Sequence, residues 1–266
     1  MSTPVRPLLA SEWRKVTTTK LLWVLGGIAV LYSCVQVVTL TMVAAGLLEG
    51  VPTQGDMLMD PQYVTTLLGQ ASTAATFVLI LGIIAMTGEF RHMTITSTFL
   101  ASPRRGSVLV AKMTLFAALG VLIACVTMVF VTIAAYASLM PFDHAPITTG
   151  AVASVLLGSI IGMALYAVLG VSLGALIKNQ IAAIVIALLW VLLVEALVGL
   201  AFPSVAKGLP GGALSAAMDV GLRAEVTGGL TQADRLPTWG GILVLLAYTA
   251  VFAVLASRTT LRRDIT

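Results

Sequence analysis

"PQYVTTLLGQASTAATFVLILGIIAMTGEFRHMTITSTFLASPRRGSVLVAK", residues 61–112, holds the pattern that decides the fold. From Pro61 to Gly88 there is no charged side chain; then Glu89, Arg91, His92, Arg104, Arg105 and Lys112 follow before the next apolar run. A helix crossing about 30 Å of hydrocarbon needs roughly 20 apolar residues, and this uncharged run supplies them. Apolar and polar residues do not alternate along it, so a barrel strand does not fit.

The same alternation of long apolar run and short polar break continues through the chain. Of 266 residues, 59% are hydrophobic and 10% charged, where soluble domains carry about 25% charged residues. The predicted fold is all-α: a single polytopic membrane domain over 1–266. Its six transmembrane helices are expected at 21–48, 63–88, 104–138, 147–177, 180–202 and 237–257. A cleaved signal sequence is the alternative for the first. Its uncharged run, Leu21–Leu48, far exceeds the 7–15 residues of a signal core, which favours a retained helix.

Lys and Arg set the orientation. With both termini inside, the inner segments hold Arg6, Arg14, Lys15, Lys20, Arg91, Arg104, Arg105, Lys112, Lys178, Arg258, Arg262 and Arg263. The outer ones hold Lys207, Arg223 and Arg235, so the positive-inside rule makes both termini cytoplasmic. Residues 1–20 are expected to form an interfacial helix. Leu9, Trp13 and Val16 recur at helical spacing, with Glu12, Arg14 and Lys15 pointing elsewhere. Trp13, Arg14 and Lys15 would anchor it at the headgroups; an ordinary basic flank is the alternative.

The break at 89–103 is longer than a simple turn requires. Thr94 is placed to cap a short helix reaching Leu100, with Ile95 and Phe99 on one side. Ser102-Pro103 reads as the start of the next helix. Arg104 and Arg105 then fall in its first turn, where the helix dipole disfavours cations. Headgroups or an acidic protein surface would account for them, and the segment reads as a docking surface. The plainer alternative is a loop whose charges only fix topology.

Within the spans, Gly158, Gly162, Gly170 and Gly174 recur every four residues, a spacing that lets helix backbones approach closely in lipid. Glu195 is the one charged residue deep in a span, readable as part of a pathway or gate, or as a structural anchor bonded to a neighbouring helix or to the outer loop through Arg223 or Arg235. Gln36, Gln70, Thr73 and Thr76 are further intramembrane polar groups that would line a cavity or bridge helices. The outer segment 203–236 suits short re-entrant or surface helices, with an apolar helical run at Ala213–Met218. Cys34 and Cys125 lie in separate apolar runs and read as core residues. His92 and His144 fall on opposite sides, and neither a metal set nor a nucleophile–base–acid set is visible. None of the five lysines ends a phosphate-binding glycine loop; Val16, Leu21, Met113, Asn179 and Gly208 follow them. The chain is therefore not expected to be an ATPase or other enzyme. Nor does a basic face interleaved with aromatics mark it for nucleic acid.

Several short motifs together resemble the membrane-permease subunits of the ABC type-2 exporter family, especially small six-helix actinobacterial permeases. They are Glu12-Trp13-Arg14-Lys15, then Gly88-Glu89-Phe90-Arg91-His92 with Thr94-Ile95-Thr96, Pro103-Arg104 with Lys112, and Trp190 with Glu195. Met93 stands where that family commonly has glycine, which argues against a tight turn there. The resemblance implies a multi-pass protein of the bacterial cell membrane. It makes 89–103 a coupling helix seated in a cleft of a separate ATPase, with Glu89, Arg91, Thr94, Phe99, Arg104 and Arg105 as the coupling residues. It also implies a second copy or a homologous permease as partner, two ATPase copies that bind the ATP and Mg, and export of an amphiphile such as a drug, antibiotic, lipid or peptide. An ion-coupled carrier using Glu195, or a non-transporting scaffold or sensor subunit, are the alternatives.

Overall fold

A computed structural model describes residues 5–47, 57–93, 105–218 and 236–258. Helix accounts for 88% of these and no strand occurs among them, so the fold is all-α. Six helices are long and apolar enough to cross a membrane: Lys20–Ala44, Pro61–Arg91, Gly106–Leu139, Thr149–Leu176, Gln180–Ala201 and Thr238–Arg258. The 94–104 segment, with Thr94, Phe99 and Arg104, lies outside the described residues, as do Arg223 and Arg235 and the side chain of Arg105.

The chain begins with α1 (Val5–Thr18) and turns at Thr19 into the first span, α2 (Lys20–Ala44). The second span is α3 (Pro61–Gly69) and α4 (Ala74–Arg91), joined by a 3-10 turn at Gln70–Thr73. Next come α5 (Arg105–Leu139) and α6 (Thr149–Leu176). The fifth span is α7 (Gln180–Leu189), a π-helical segment at Trp190–Val194, and α8 (Glu195–Ala201). Two short helices, α9 (Pro203–Ala206) and α10 (Pro210–Ala217), precede the last span, α11 (Thr238–Arg258).

Local chemistry sets several of these starts. Asp60 accepts from the Gln62 N–H at 2.8 Å, and Pro61 occupies the first helical position, where a missing N–H costs nothing. Thr148 and Asn179 cap α6 and α7 by accepting from Ala151 N–H at 3.2 Å and Ala182 N–H at 3.1 Å. The Asn179 cap is what permits the tight connection between the fourth and fifth spans.

The fourth span, α6, is the hub, with its most extensive contacts to α4, α5 and α11. The contacts are made backbone to backbone. A Cβ at Gly170 would stand 2.2 Å from the Leu79 carbonyl oxygen, and one at Gly174 would stand 2.8 Å from that of Ile83. From the other side, Gly82 of α4 sits where a Cβ would be 2.5 Å from the Ala167 oxygen, and Gly120 of α5 where it would be 2.6 Å from the Met163 oxygen. Gly158 and Gly162 meet a different partner, Met218 just past α10. The four-residue stripe thus serves two neighbours, as its drift of about 40° per step requires. The periphery is formed by the first and fifth spans, of whose most apolar windows 22% and 11% are buried, against 72% for the second.

Beyond shifts of one or two residues at helix ends, four features differ from the sequence reading. The first span ends at Ala44, four residues before Leu48, with Gly46 turning the chain at φ 70°. The second span does not stop at Gly88; it runs on through Arg91, and the Gln70–Thr73 turn interrupts it. The helix in the outer segment spans Pro210–Ala217, beginning ahead of Ala213, and it is buried against α6 and α11. Fourth, the chain does turn tightly at Met93, whose φ of 56° lies in the left-handed region, while His92 N–H donates to the Gly88 oxygen at 2.9 Å. This is the helix-ending position that favours glycine, and a side chain there costs about 1–2 kcal/mol.

Two outcomes follow for thermal unfolding of the purified protein. Gly170→Ala lowers the midpoint, because overpacking a close contact costs about 1–3 kcal/mol, whereas Gly150→Ala, with open space around it, leaves the midpoint unchanged. Met93→Gly raises it, by the equivalent of about 1 kcal/mol.

Candidate functional site

Two places in the fold gather polar chemistry. The first lies at the Lys/Arg-rich end. The third span, Gly106–Leu139, counts 34 residues. It therefore rises roughly 50 Å, well beyond the hydrocarbon, and Lys112 stands in its outlying turns. Lys112 is 2% exposed, Glu12 of α1 2% and Glu89 of α4 5%, so three ionisable groups are removed from water together. Lys112 Nζ donates to Glu12 Oε2 in a very short contact and to Glu89 Oε1 at 3.1 Å. Lys15 Nζ, half exposed, donates to Glu12 Oε1 at 2.6 Å and to Glu89 Oε1 at 2.7 Å. Among the described residues, the two carboxylates and two ammonium groups alternate around a ring that joins α1, α4 and α5. Glu89 Oε2 has no partner among the described residues.

Charge pairing shifts the groups in α1. Burial alone would raise the Glu12 carboxyl, but Lys112 and Lys15 outweigh it and hold that carboxyl below its ordinary value. Burial likewise opposes the charge on Lys15, and the bonds to Glu12 and Glu89 overcome it and push the ammonium up.

This arrangement corrects the reading of α1. Glu12 points inward, and Leu9 and Val16 beside it pack on the core, while Trp13 is 47% exposed. Glu12 borders the Leu9–Val16 stripe at helical spacing, so the stripe is centred on its side. Arg14 is exposed. Among the coupling candidates, Glu89 is turned into the protein, and Arg91 is exposed and reaches Gln180 Oε1 at 3.4 Å.

The second place is a cavity of about 460 Å³ bounded by the first, second and fifth spans and by α10. It brings together Gln36, Gln70 and Glu195, the three groups singled out in the sequence, with Thr73 and Thr76. Both helix irregularities lie on its wall: Gln70, Ser72 and Thr73 come from the 3-10 turn, and Val191 and Leu192 from the π segment. Thr73 shares a hydroxyl–hydroxyl bond of 3.0 Å with Ser33 of α2, and Gln70 Nε2 donates to the Thr66 oxygen at 3.1 Å.

Glu195 Oε1 accepts from Gly211 N–H at 3.0 Å, so the carboxylate caps the start of α10. A Cβ at Gly211 would meet Glu195 Oε2 and push that carboxylate from its present position. Tyr248 of the sixth span donates to the Gly208 oxygen at 3.3 Å and ties the same connection from the other side. Tyr166, which the sequence does not single out, is 1% exposed and lines the cavity. Its hydroxyl has no partner among the described residues.

Compared with known proteins, the chain matches no protein-family model and no curated protein.

The cluster makes a double-mutant prediction. Lys112→Met or Glu12→Leu alone costs about 3–5 kcal/mol by stranding a buried partner charge, and the double variant costs less than either. Docking of α1, read by protease protection near Thr18, also has a pH window. With the Glu12 pKa lowered from 4.5, that carboxylate's contribution is full above 4.5 and lost as pH falls below it. With the Lys15 pKa raised from 10.5, its contribution is full below 10.5 and lost above.

Proposed function

We propose that this chain is the membrane-permease subunit of an ATP-driven exporter, which forms a translocation pathway as a dimer with a second copy or a homologous permease. It moves an amphiphile through the bacterial cell membrane, and the ATP and Mg belong to a separate cytoplasmic ATPase present in two copies. The observation that carries the reading is the buried cluster of Glu12, Lys15, Glu89 and Lys112.

Glu89 and Lys112 flank the 94–104 segment on its two sides, one closing the second span and one opening the third. Bonded to each other and to α1, they turn the feet of two spans and an interfacial helix into one body. A push on the intervening segment then reaches both spans instead of being absorbed by a flexible loop. Buried ion pairs contribute little to net stability against apolar replacements. A two-carboxylate, two-ammonium cluster at this point is better explained by a need for rigid, specific docking. Arg104, at the end of the segment, and Arg105, which opens α5, are the groups that would meet an acidic partner surface.

An ion-coupled carrier is the second reading, favoured by one observation: the Glu195 carboxylate lies in an intramembrane cavity beside a π-helical segment. Co-purification and transport separate the two. Under the exporter reading, an ATPase elutes with the chain, and Arg104→Glu/Arg105→Glu reduces substrate-stimulated ATP hydrolysis by at least about tenfold. Transport that continues without ATP and stops in Glu195→Gln would replace it with the carrier.

A further inference from the structure

The cavity has a chemical bias that the exporter reading does not specify. Among the residues lining it, Glu195 is the one carboxylate, and no Lys, Arg or His is present. The rest of the wall is mostly aliphatic or aromatic, with Gln, Ser and Thr side chains between. Gly211 N–H hydrogen-bonds to Glu195. This donor is uncharged, and a carboxylate offers about four acceptor positions. A negative charge compensated only by neutral donors in a low-dielectric site favours a cation beside it. Two further features border the same space. Tyr166 lines it, with a fully buried hydroxyl that has no partner among the described residues. Tyr32 and Phe77 stand with ring centroids 5.7 Å apart on the wall formed by the first and second spans, and aromatic faces attract cations and pack apolar bodies.

We propose that this cavity binds an amphiphile carrying one protonated amine, with the ammonium on Glu195 and the apolar body against Tyr32 and Phe77. An anionic amphiphile meets Glu195 with like charge, and a neutral one leaves the carboxylate without a counterion. As cargo, such a ligand rests on the exporter reading above; as a bound molecule, it rests on the cavity alone.

The test uses the full-length chain in lipid nanodiscs and two fluorescent probes with the same body. Dansylcadaverine ends in a protonated amine, and N-acetyl-dansylcadaverine ends in a neutral amide. Saturable emission changes above those of empty nanodiscs are expected for the amine, with the acetylated probe at least about tenfold weaker. Glu195→Gln keeps an oxygen for Gly211 N–H and removes the charge, so it brings the amine down to the level of the acetylated probe. The Tyr32→Ala/Phe77→Ala variant leaves the Glu195–Gly211 bond untouched and weakens both probes.

Equal binding of the two probes to the wild type overturns the proposal and needs no variant that must fold. So does an amine affinity in a folded Glu195→Gln protein within twofold of wild type. No ATPase enters the measurement. Amine-selective binding by a chain that recruits no ATPase sustains the site and sinks the exporter reading, while loss of selectivity in a chain that does recruit one sinks the site alone.

Discussion

Everything in this bundle hangs on backbone-to-backbone contact along the fourth span. In hydrocarbon there is no hydrophobic gain from pressing two apolar helices together, so association relies on close packing and on the few polar bonds available. Gly170 against Leu79, Gly82 against Ala167 and Gly120 against Met163 bring α4 and α5 onto α6 at distances a single methyl group would forbid. Gly158 extends the same contact to Met218, so α10 is held within the bundle instead of lying on its surface. The second, third and sixth spans are built around this hub. The fifth, with the least buried surface, is the element freest to shift relative to it.

Polar bonds are spent where the glycine contacts run out. At the Lys/Arg-rich end, four charges pair with one another and fasten α1 to the second and third spans. Toward the opposite end, hydroxyl pairs join spans across the apolar interior: Ser33 with Thr73, and Thr41 with Ser138 at 3.1 Å. Tyr63 donates to the Leu40 oxygen at 2.8 Å, fixing the start of the second span against the end of the first. None of these side chains is exposed enough to be kept by water alone, and each joins elements distant in sequence.

Much of this was legible from the residues. The number of membrane helices follows from six long apolar windows, one of them broken by Glu195, because length and polarity are what the bilayer tests. Gln36, Gln70 and Glu195 stood out by being polar where polarity is costly, and all three line one cavity. The helix irregularities were not legible. A 3-10 turn at Gln70–Thr73 contains no proline or glycine, and the π segment at Trp190–Val194 is uniformly apolar, so neither differs in composition from ordinary helix. Glu12 was misplaced for a different reason. Its neighbours suggested an interfacial helix facing lipid, and only tertiary packing supplies the two lysines and the partner carboxylate that make an inward carboxylate tolerable. The turn at Met93 is the reverse case: no glycine stands there, and the chain adopts a left-handed residue anyway because the helix must end there.

The two irregular segments have a common physical reason. Backbone that departs from α-helix inside a membrane survives only where protein or a cavity can take up the disturbed groups. Both segments border the same cavity, one on the well-buried second span and one on the loosely held fifth. In the π segment an extra residue is inserted into the helical register immediately before Glu195, which turns that carboxylate toward Gly211 and the start of α10. Any rotation or slide of the fifth span relative to the hub therefore changes the cavity wall and the anchorage of α10 together. The opposite wall is held by the second span, whose foot carries Glu89 and belongs to the charged cluster. A displacement at the Lys/Arg-rich end thus has a continuous route through one rigid helix to the 3-10 turn beside the cavity, with the fifth span as the compliant partner across the gap.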